Sequence, residues 1–226
     1  MNTPILSILI PTMPSRKEVR EKLIESLVSK IDCDQPVVSF KNDMQTYHYK
    51  SHLVEILVCE DDKLIIGQKR QLMLEMAIGQ YVAFVDDDDH VSENYVSLIL
   101  SALEQNPDVV GLIGTYSYNG GPMATWEISK RFTKWSQSVK NGKTHYLRSP
   151  NHLAPIRRSI ALQIGFKNIG HGEDADYSKR LVKAGLCKTE VKINTPLYWY
   201  DDRKYAPSFD SYTVNAFPLG NDKNPV

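Results

Sequence analysis

The sequence predicts an α/β domain, a mostly parallel central sheet flanked by helices, and three observations predict it. First, Ile5 to Ile10 is a short apolar run bounded by Pro4 and Pro11, followed by a polar loop and then helical periodicity. Second, Leu53 to Cys59 is another apolar run, and it ends in Glu60, Asp61 and Asp62. Third, Gly79 and Gln80 lead into Tyr81–Val85, which runs straight into Asp86, Asp87, Asp88 and Asp89. Two strands that end in carboxylates place acids on one edge of a parallel sheet, the edge where open α/β folds bind ligands.

Taken in order, Pro11-Thr-Met-Pro-Ser-Arg16 is a loop that opens a helix reaching about Ile31. Ser15 and Glu18 have capping-box spacing, and Val19, Leu23, Ile24, Leu27 and Val28 form its inner face. Residues 32–52 are polar and aromatic without a period and read as a loop or irregular insertion. Gly67-Gln-Lys-Arg70 opens the next helix, with Leu72, Met73, Met76 and Ala77 as its apolar face and Gly79 as its C-cap. Lys69 and Arg70 sit at its N-terminal end, where backbone amides and cations jointly hold phosphate; solvated surface cations are the plainer alternative. A helix over about Glu93–Leu103, capped by Ser92 or Asp89, precedes a strand at Val109–Ile113.

Residues 114–126 read as a hairpin or flap. Trp126, Phe132 and Trp135 are core aromatics or, alternatively, ring faces for an acceptor sugar. Asn141-Gly142 marks a turn, and Ser149–Arg158 is a proline-rich loop before a short helix at Ser159–Ile164. Ile169-Gly-His-Gly-Glu-Asp-Ala-Asp-Tyr177 gives a glycine turn whose acids Glu173, Asp174 and Asp176 enter a helix ending at Gly185, as the helix dipole favours. Late strands are expected at Val191–Ile193 and Leu197–Tyr200. Residues 206–226, with three prolines, read as a loosely attached tail after a domain over 1–205.

The four-aspartate run carries the chemistry. Adjacent carboxylates at the edge of a core repel one another and desolvate badly, and a hard divalent ion, Mg²⁺ or Mn²⁺, relieves both penalties while keeping positions open for phosphate oxygens. An acidic turn capping the following helix is the plainer reading.

Composition bounds the rest. The 226 residues carry 27 basic and 27 acidic side chains, so a formal charge of zero offers no global attraction for nucleic acid or acidic membranes. Three widely spaced cysteines, Cys33, Cys59 and Cys187, argue against a disulfide framework. No apolar run approaches the ~20 residues of a membrane helix, and the start shows no basic region or cleavage site, so the expected location is cytoplasmic.

In order, Pro11-Thr12 with Arg16, Cys59-Glu60-Asp61, Gly67-Gln-Lys-Arg70, Ala77 to Asp89 and Gly172-Glu-Asp174 resemble the family 2-like glycosyltransferases of the GT-A (Rossmann-like) fold. The resemblance covers about residues 4–200. It implies a nucleotide-diphosphate sugar donor, UDP-sugar favoured, a glycan or glycoconjugate acceptor, and an inverting, metal-dependent hexosyl transfer. It divides the domain into a nucleotide-sugar half to about 115 and an acceptor half over about 116–205. It assigns Asp86 and Asp88 to the metal ion, with Asp87 or Asp89 sharing the task in a shifted register. Asp87 falls near the ribose, Pro11, Thr12 and Arg16 beside the nucleotide, Asp61 at the base, and Arg70, with Lys69, at the nucleotide or its phosphates. Asp174, with Glu173, falls at the catalytic base. Leu197-Tyr-Trp-Tyr200 stands where many relatives carry a metal-binding histidine, leaving His152 and His171 as substitutes. Two rivals are a sugar nucleotidyltransferase, which wants a glycine-rich loop where Pro11–Arg16 has no glycine, and a non-catalytic carbohydrate-binding or assembly module of the same fold.

Overall fold

In the computed structural model, which describes residues 3–31, 37–41, 44–118, 123–140 and 142–202, the first apolar run forms β1 (Leu6–Thr12), with every residue buried. A 3-10 turn at Pro14–Arg16 leads into α1 (Lys17–Val28), which buries Leu23, Ile24 and Leu27. The α1 N-cap is Arg16 and no side chain caps it, so the Ser15/Glu18 capping box does not form: Pro14 starts a tighter turn and puts Ser15 inside it. β2 (Val37–Lys41) and β3 (Met44–Lys50) pair antiparallel, and β3 pairs antiparallel with β4 (Val54–Glu60). Within the stretch expected to be irregular, residues 37–41 and 44–50 are therefore antiparallel strands on the edge of the sheet.

α2 (Ile66–Met76) ends at a C-cap on Ala77, two residues before Gly79. Gly79 does a different job: a Cβ there would lie 2.6 Å from the Ser7 backbone nitrogen, so it lets the chain pass close to β1. β5 (Tyr81–Phe84) follows, then β6 (His90–Val91), α3 (Tyr95–Leu103) and β7 (Val109–Tyr118). The α3 N-cap is Asn94, not Ser92 or Asp89, and it makes no side-chain cap bond. β8 (Ala124–Ile128) folds back on β7, β9 (Ser136–Lys140) and β10 (Lys143–Arg148) form a hairpin around Gly142, and β11 (Ile156–Arg157) runs into α4 (Arg158–Ile164). α5 (Glu173–Ala184) starts at Gly172, whose φ of 77° lies in the left-handed region that glycine tolerates. The two late strands are one, β12 (Glu190–Asp202), with register shifts around Pro196.

The sheet order is β2-β3-β4-β1-β5-β11-β7-β8-β10-β9, with β12 on β7. Parallel pairing holds for β4-β1-β5, β7-β12 and β8-β10; the remaining described pairs are antiparallel, so the sheet is more mixed than expected. One apolar core runs through both halves, from Ile8 and Leu9 to Tyr198. α2 packs on β1 and β4, α3 on β7 and β12, and α4 on α2, α5 and β5. No described helix is long and apolar enough to cross a membrane. The tail at 206–226, Cys33 and the Gly120-Gly121 flap tip lie outside the described residues.

Candidate active site

The C-terminal ends of β1 and β5 and the N-terminal turn of α5 meet at a cleft of about 950 Å³. Pro11, Thr12, Arg16, Lys69, Arg70, Asp86, Asp87, Asp88, Glu173 and Asp174 all border it, so these sequence-predicted residues of both chain halves come together. Asp61 does not: its Oδ1 accepts from the backbone amides of Lys63 and Leu64 (2.8 and 2.6 Å), closing the turn after β4.

Each aspartate of the run has its own environment, because an extended strand ending in a turn points successive side chains in different directions. Asp87 is buried; Thr12 Oγ1 donates to its Oδ2 (2.6 Å) and Arg16 to its Oδ1 (2.7 Å). This links the end of β5 to the loop after β1. Asp89 is buried too and accepts from the Tyr198 hydroxyl (2.6 Å), which itself accepts from the Asp86 amide (3.1 Å). Burial and the charges of Asp89 and Asp86 push the Tyr198 phenol well above its ordinary value, so it remains a donor.

Asp86 Oδ1 receives Arg70 at 2.7 Å, and its Oδ2 lies 3.4 Å from His152 Nε2. Burial works to raise the Asp86 carboxyl, but Arg70 and His152 prevail and hold it well below the carboxylate range. Asp88 is the open member, its side chain 50% exposed, with Arg16 3.1 Å from Oδ2. Burial and the negative charges of Asp87 and Asp86 outweigh Arg16 and push the Asp88 carboxyl up.

Arg70 links the aspartate turn to the start of α5. It is buried, donates Nη2 to Asp86 and Nη1 to Glu173 (2.5 Å), and so ties the end of β5 to the start of α5. Glu173 is thereby held on Arg70 at the cleft floor, while Asp174, less buried, accepts from the Ala175 amide (2.7 Å) at the cleft wall. Lys69, buried as well, donates Nζ to the carbonyls of Thr12 (2.7 Å) and Asp61 (2.5 Å). Its ammonium braces the ends of β1 and β4, a role that neither solvation nor phosphate binding anticipates.

Tyr198, bonded to Asp89, and Arg148, on the cleft lining, carry no distinct signal in the sequence. A tyrosine in an apolar strand reads as core, and only the register of β12 beside β6 brings its hydroxyl to the aspartates. His152 has a signal in its sequence, a polar residue in a proline-bounded loop, and the structure places it on Asp86. His171 also borders the cleft. Trp126 is core, giving its indole N–H to the Thr115 carbonyl (3.0 Å), although its edge reaches the cleft; Trp135 lines the wall and Phe132 does not.

Among the described residues, no three His, Cys, Asp or Glu side chains are grouped as a ready metal cage. Asp86 and Asp88 on one cleft wall fit instead an ion of the Mg²⁺ or Mn²⁺ type, which needs only one or two carboxylates when ligand phosphates and water complete its shell. The mutual repulsion felt at Asp88 is the charge such an ion offsets.

This fold has solved counterparts. S. aureus TarS residues 1–349 in complex with UDP-GlcNAc matches with a TM-score of 0.58 at 15% identity, over 89% of this chain and 60% of that one. The same fragment in complex with UDP gives 0.56 at 17% identity over 87% and 60%, and a further TarS structure gives 0.56 at 15% over 87% and 36%. The chain thus spans at most about three fifths of the length of these structures. At such identities the likeness establishes the fold, the GT-A α/β class with its cleft at the strand ends. Curated proteins yield no sequence match. The family model described as glycosyl transferase family 2 matches residues 7–165, and the chain belongs to that family.

Proposed function

We propose that the domain transfers a sugar from a nucleotide-diphosphate sugar, a UDP-sugar in the favoured case, to a hydroxyl of a glycan or glycoconjugate, with inversion at the anomeric carbon. The observation that carries this reading is the convergence of the Asp86–Asp88 turn, Arg16 and Arg70 with Asp174 in one cleft. The UDP and UDP-GlcNAc named with the TarS structures support the choice of donor class.

In this reading Thr12, Arg16 and Asp87 form a fixed wall beside the nucleotide, already linked by hydrogen bonds before any ligand enters. Asp86 and Asp88 would hold the divalent ion, which supplies neutralising charge to the departing diphosphate when bound. Arg70 keeps Asp86 ionised and fixes Glu173, so Glu173 positions the start of α5 and Asp174 is the proton acceptor. As the acceptor oxygen bonds to the anomeric carbon, the carbon–oxygen bond to the diphosphate breaks and its electron pair leaves with the phosphate. Asp174 takes the hydroxyl proton, and the single displacement inverts the centre. The expectation is that Asp174→Asn lowers transfer by about 10²–10⁴-fold while UDP affinity stays within about twofold. Near-normal turnover in that variant, measured as UDP release in a coupled assay, contradicts the assignment.

The rival nucleotidyltransferase finds no glycine-rich phosphate loop between β1 and α1, where Pro11 and Pro14 stiffen the chain instead. A non-catalytic module of this fold would bind ligand without releasing UDP, which the same assay reads.

A further inference from the structure

The lysine and arginine side chains on the cleft are engaged in different ways. Arg16 pairs with Asp87 and Asp88, Arg70 with Asp86 and Glu173, and Lys69 rests on two carbonyls. Arg148, on β10, is held by rings. Its guanidinium carbon lies 4.7 Å from the Trp135 ring centroid and 4.9 Å from that of Tyr146, and one nitrogen donates to the Ser136 carbonyl at 3.4 Å. Among the described residues, no carboxylate stands at ion-pair distance from it. Stacking between ring faces orients a guanidinium while leaving its in-plane N–H donors available, the edge that grips carboxylate or phosphate in a fork.

The mount is fixed relative to the proposed base. Trp135 donates its indole N–H to Ser178 Oγ (3.2 Å), and Ser149, next to Arg148, shares a 2.8 Å hydrogen bond with the same hydroxyl. Ser178 lies on α5, the helix that begins with Glu173 and Asp174. Arg148 and Asp174 border the same cleft, and the negative charge of Asp174 acts on Arg148. The donor side of the cleft is built from the ends of β1 and β5; Arg148 stands on the other wall.

We propose that Arg148 is an anion-recognition point for the acceptor, so that the molecule presenting its hydroxyl to Asp174 carries a carboxylate or phosphate. The proposal rests on the glycosyl-transfer reading of the cleft and adds to it the acceptor's charge. The cation is half-buried against the rings, and a charge-assisted pair there distinguishes acidic from neutral acceptors by about tenfold.

Methyl β-glucuronide and methyl β-glucoside, alike except for the carboxylate, are the probe pair, with glucose 6-phosphate as the phosphate probe. Each is titrated into the full chain, nucleotide-free and saturated with UDP and Mn²⁺, and followed by ligand-observed NMR. The acidic probes are expected to bind about tenfold tighter than the neutral one. Arg148→Gln should abolish that advantage, Arg148→Lys should keep part of it, and UDP affinity should stay within about twofold in both. Equal binding of acidic and neutral probes to the parent, or no binding of either, overturns the proposal. A parallel loss of UDP affinity in Arg148→Gln also overturns it, by making Arg148 a donor contact. Absence of UDP binding in the parent would count against the glycosyl-transfer reading instead, and the nucleotide-free comparison would still report on Arg148.

Discussion

Ser7 Oγ (2.5 Å) and the Ile78 amide (3.0 Å) both donate to Oε2 of Glu55, a fully buried carboxylate on β4, and the His48 ring stands 3.4 Å from its Oε1. Burial works to raise this carboxyl, but His48, the Ile78 amide and Ser7 together bring it below its ordinary value of 4.5. The folded protein therefore releases this proton more readily than the unfolded chain. The resulting stabilisation is complete above about pH 4.5 and is lost as pH falls through the depressed folded value. Glu55→Gln should cost about 1–3 kcal/mol at neutral pH and flatten the acid limb of a melting-temperature-against-pH curve; parent and variant curves of equal acid slope would contradict this. Residue by residue, the candidate site was legible in its membership and less so in its roles. Asp87, Lys69 and Glu173 border the cleft as expected, yet each already holds protein partners, because a cluster of charges at a strand end must be neutralised by the fold before any ligand arrives.

The elements most legible in the sequence are those buried on both faces. β1, β4 and β5 are near-continuous apolar runs, and nothing but a central strand accommodates them. β3 is the opposite case. Tyr47 and Tyr49 face α1 across a groove, while Thr46 is buried and His48 meets Glu55, so neither face is plainly apolar and no period emerges. The caps misled for a related reason. Ser15, Ser92 and Gly79 have the right local chemistry, but Pro14, Asn94 and the approach of Gly79 to Ser7 set the boundaries through backbone geometry. Gly67 shows an element junction that sequence reasoning left unexplained. A Cβ there would fall 2.1 Å from the Lys167 carbonyl and 2.7 Å from that of Ile169, and its amide donates to the Ile169 carbonyl at 3.3 Å. The first turn of α2 thus lies directly against the segment that feeds α5. Gly67→Ala must push this segment away, at about 1–3 kcal/mol, and displace Asp174 from the cleft wall. Thermal denaturation should show the loss of stability and the coupled assay a loss of turnover; an unchanged melting temperature would contradict the close-packing argument.

Across the whole molecule, the two halves proposed from sequence are joined more closely than a linear division at about residue 115 implies. β7 runs through that boundary, β12 returns along it, and Tyr198 on β12 reaches the aspartate turn at the end of β5. Arg70 adds a second tie, from β5 to α5. Such connections between residues over a hundred positions apart leave no local signature, which is why the cleft could be anticipated and its bracing could not. They also mean that both cleft walls are held before ligand binding, the wall at the ends of β1 and β5 by Thr12, Arg16 and Asp87 and the opposite wall by Trp135 and Ser178. The proposed function requires this preformed cleft to bind a nucleotide-diphosphate sugar through an ion held by Asp86 and Asp88. Isothermal titration of UDP-, GDP- and dTDP-sugars into the full chain, with Mn²⁺ and then with chelator, tests it most directly. Metal-dependent binding of one nucleotide class, UDP-sugars, is expected, with its loss in Asp88→Ala. Binding that is unaffected by chelator and by Asp88→Ala, or no binding of any of the three in folded protein, would contradict it.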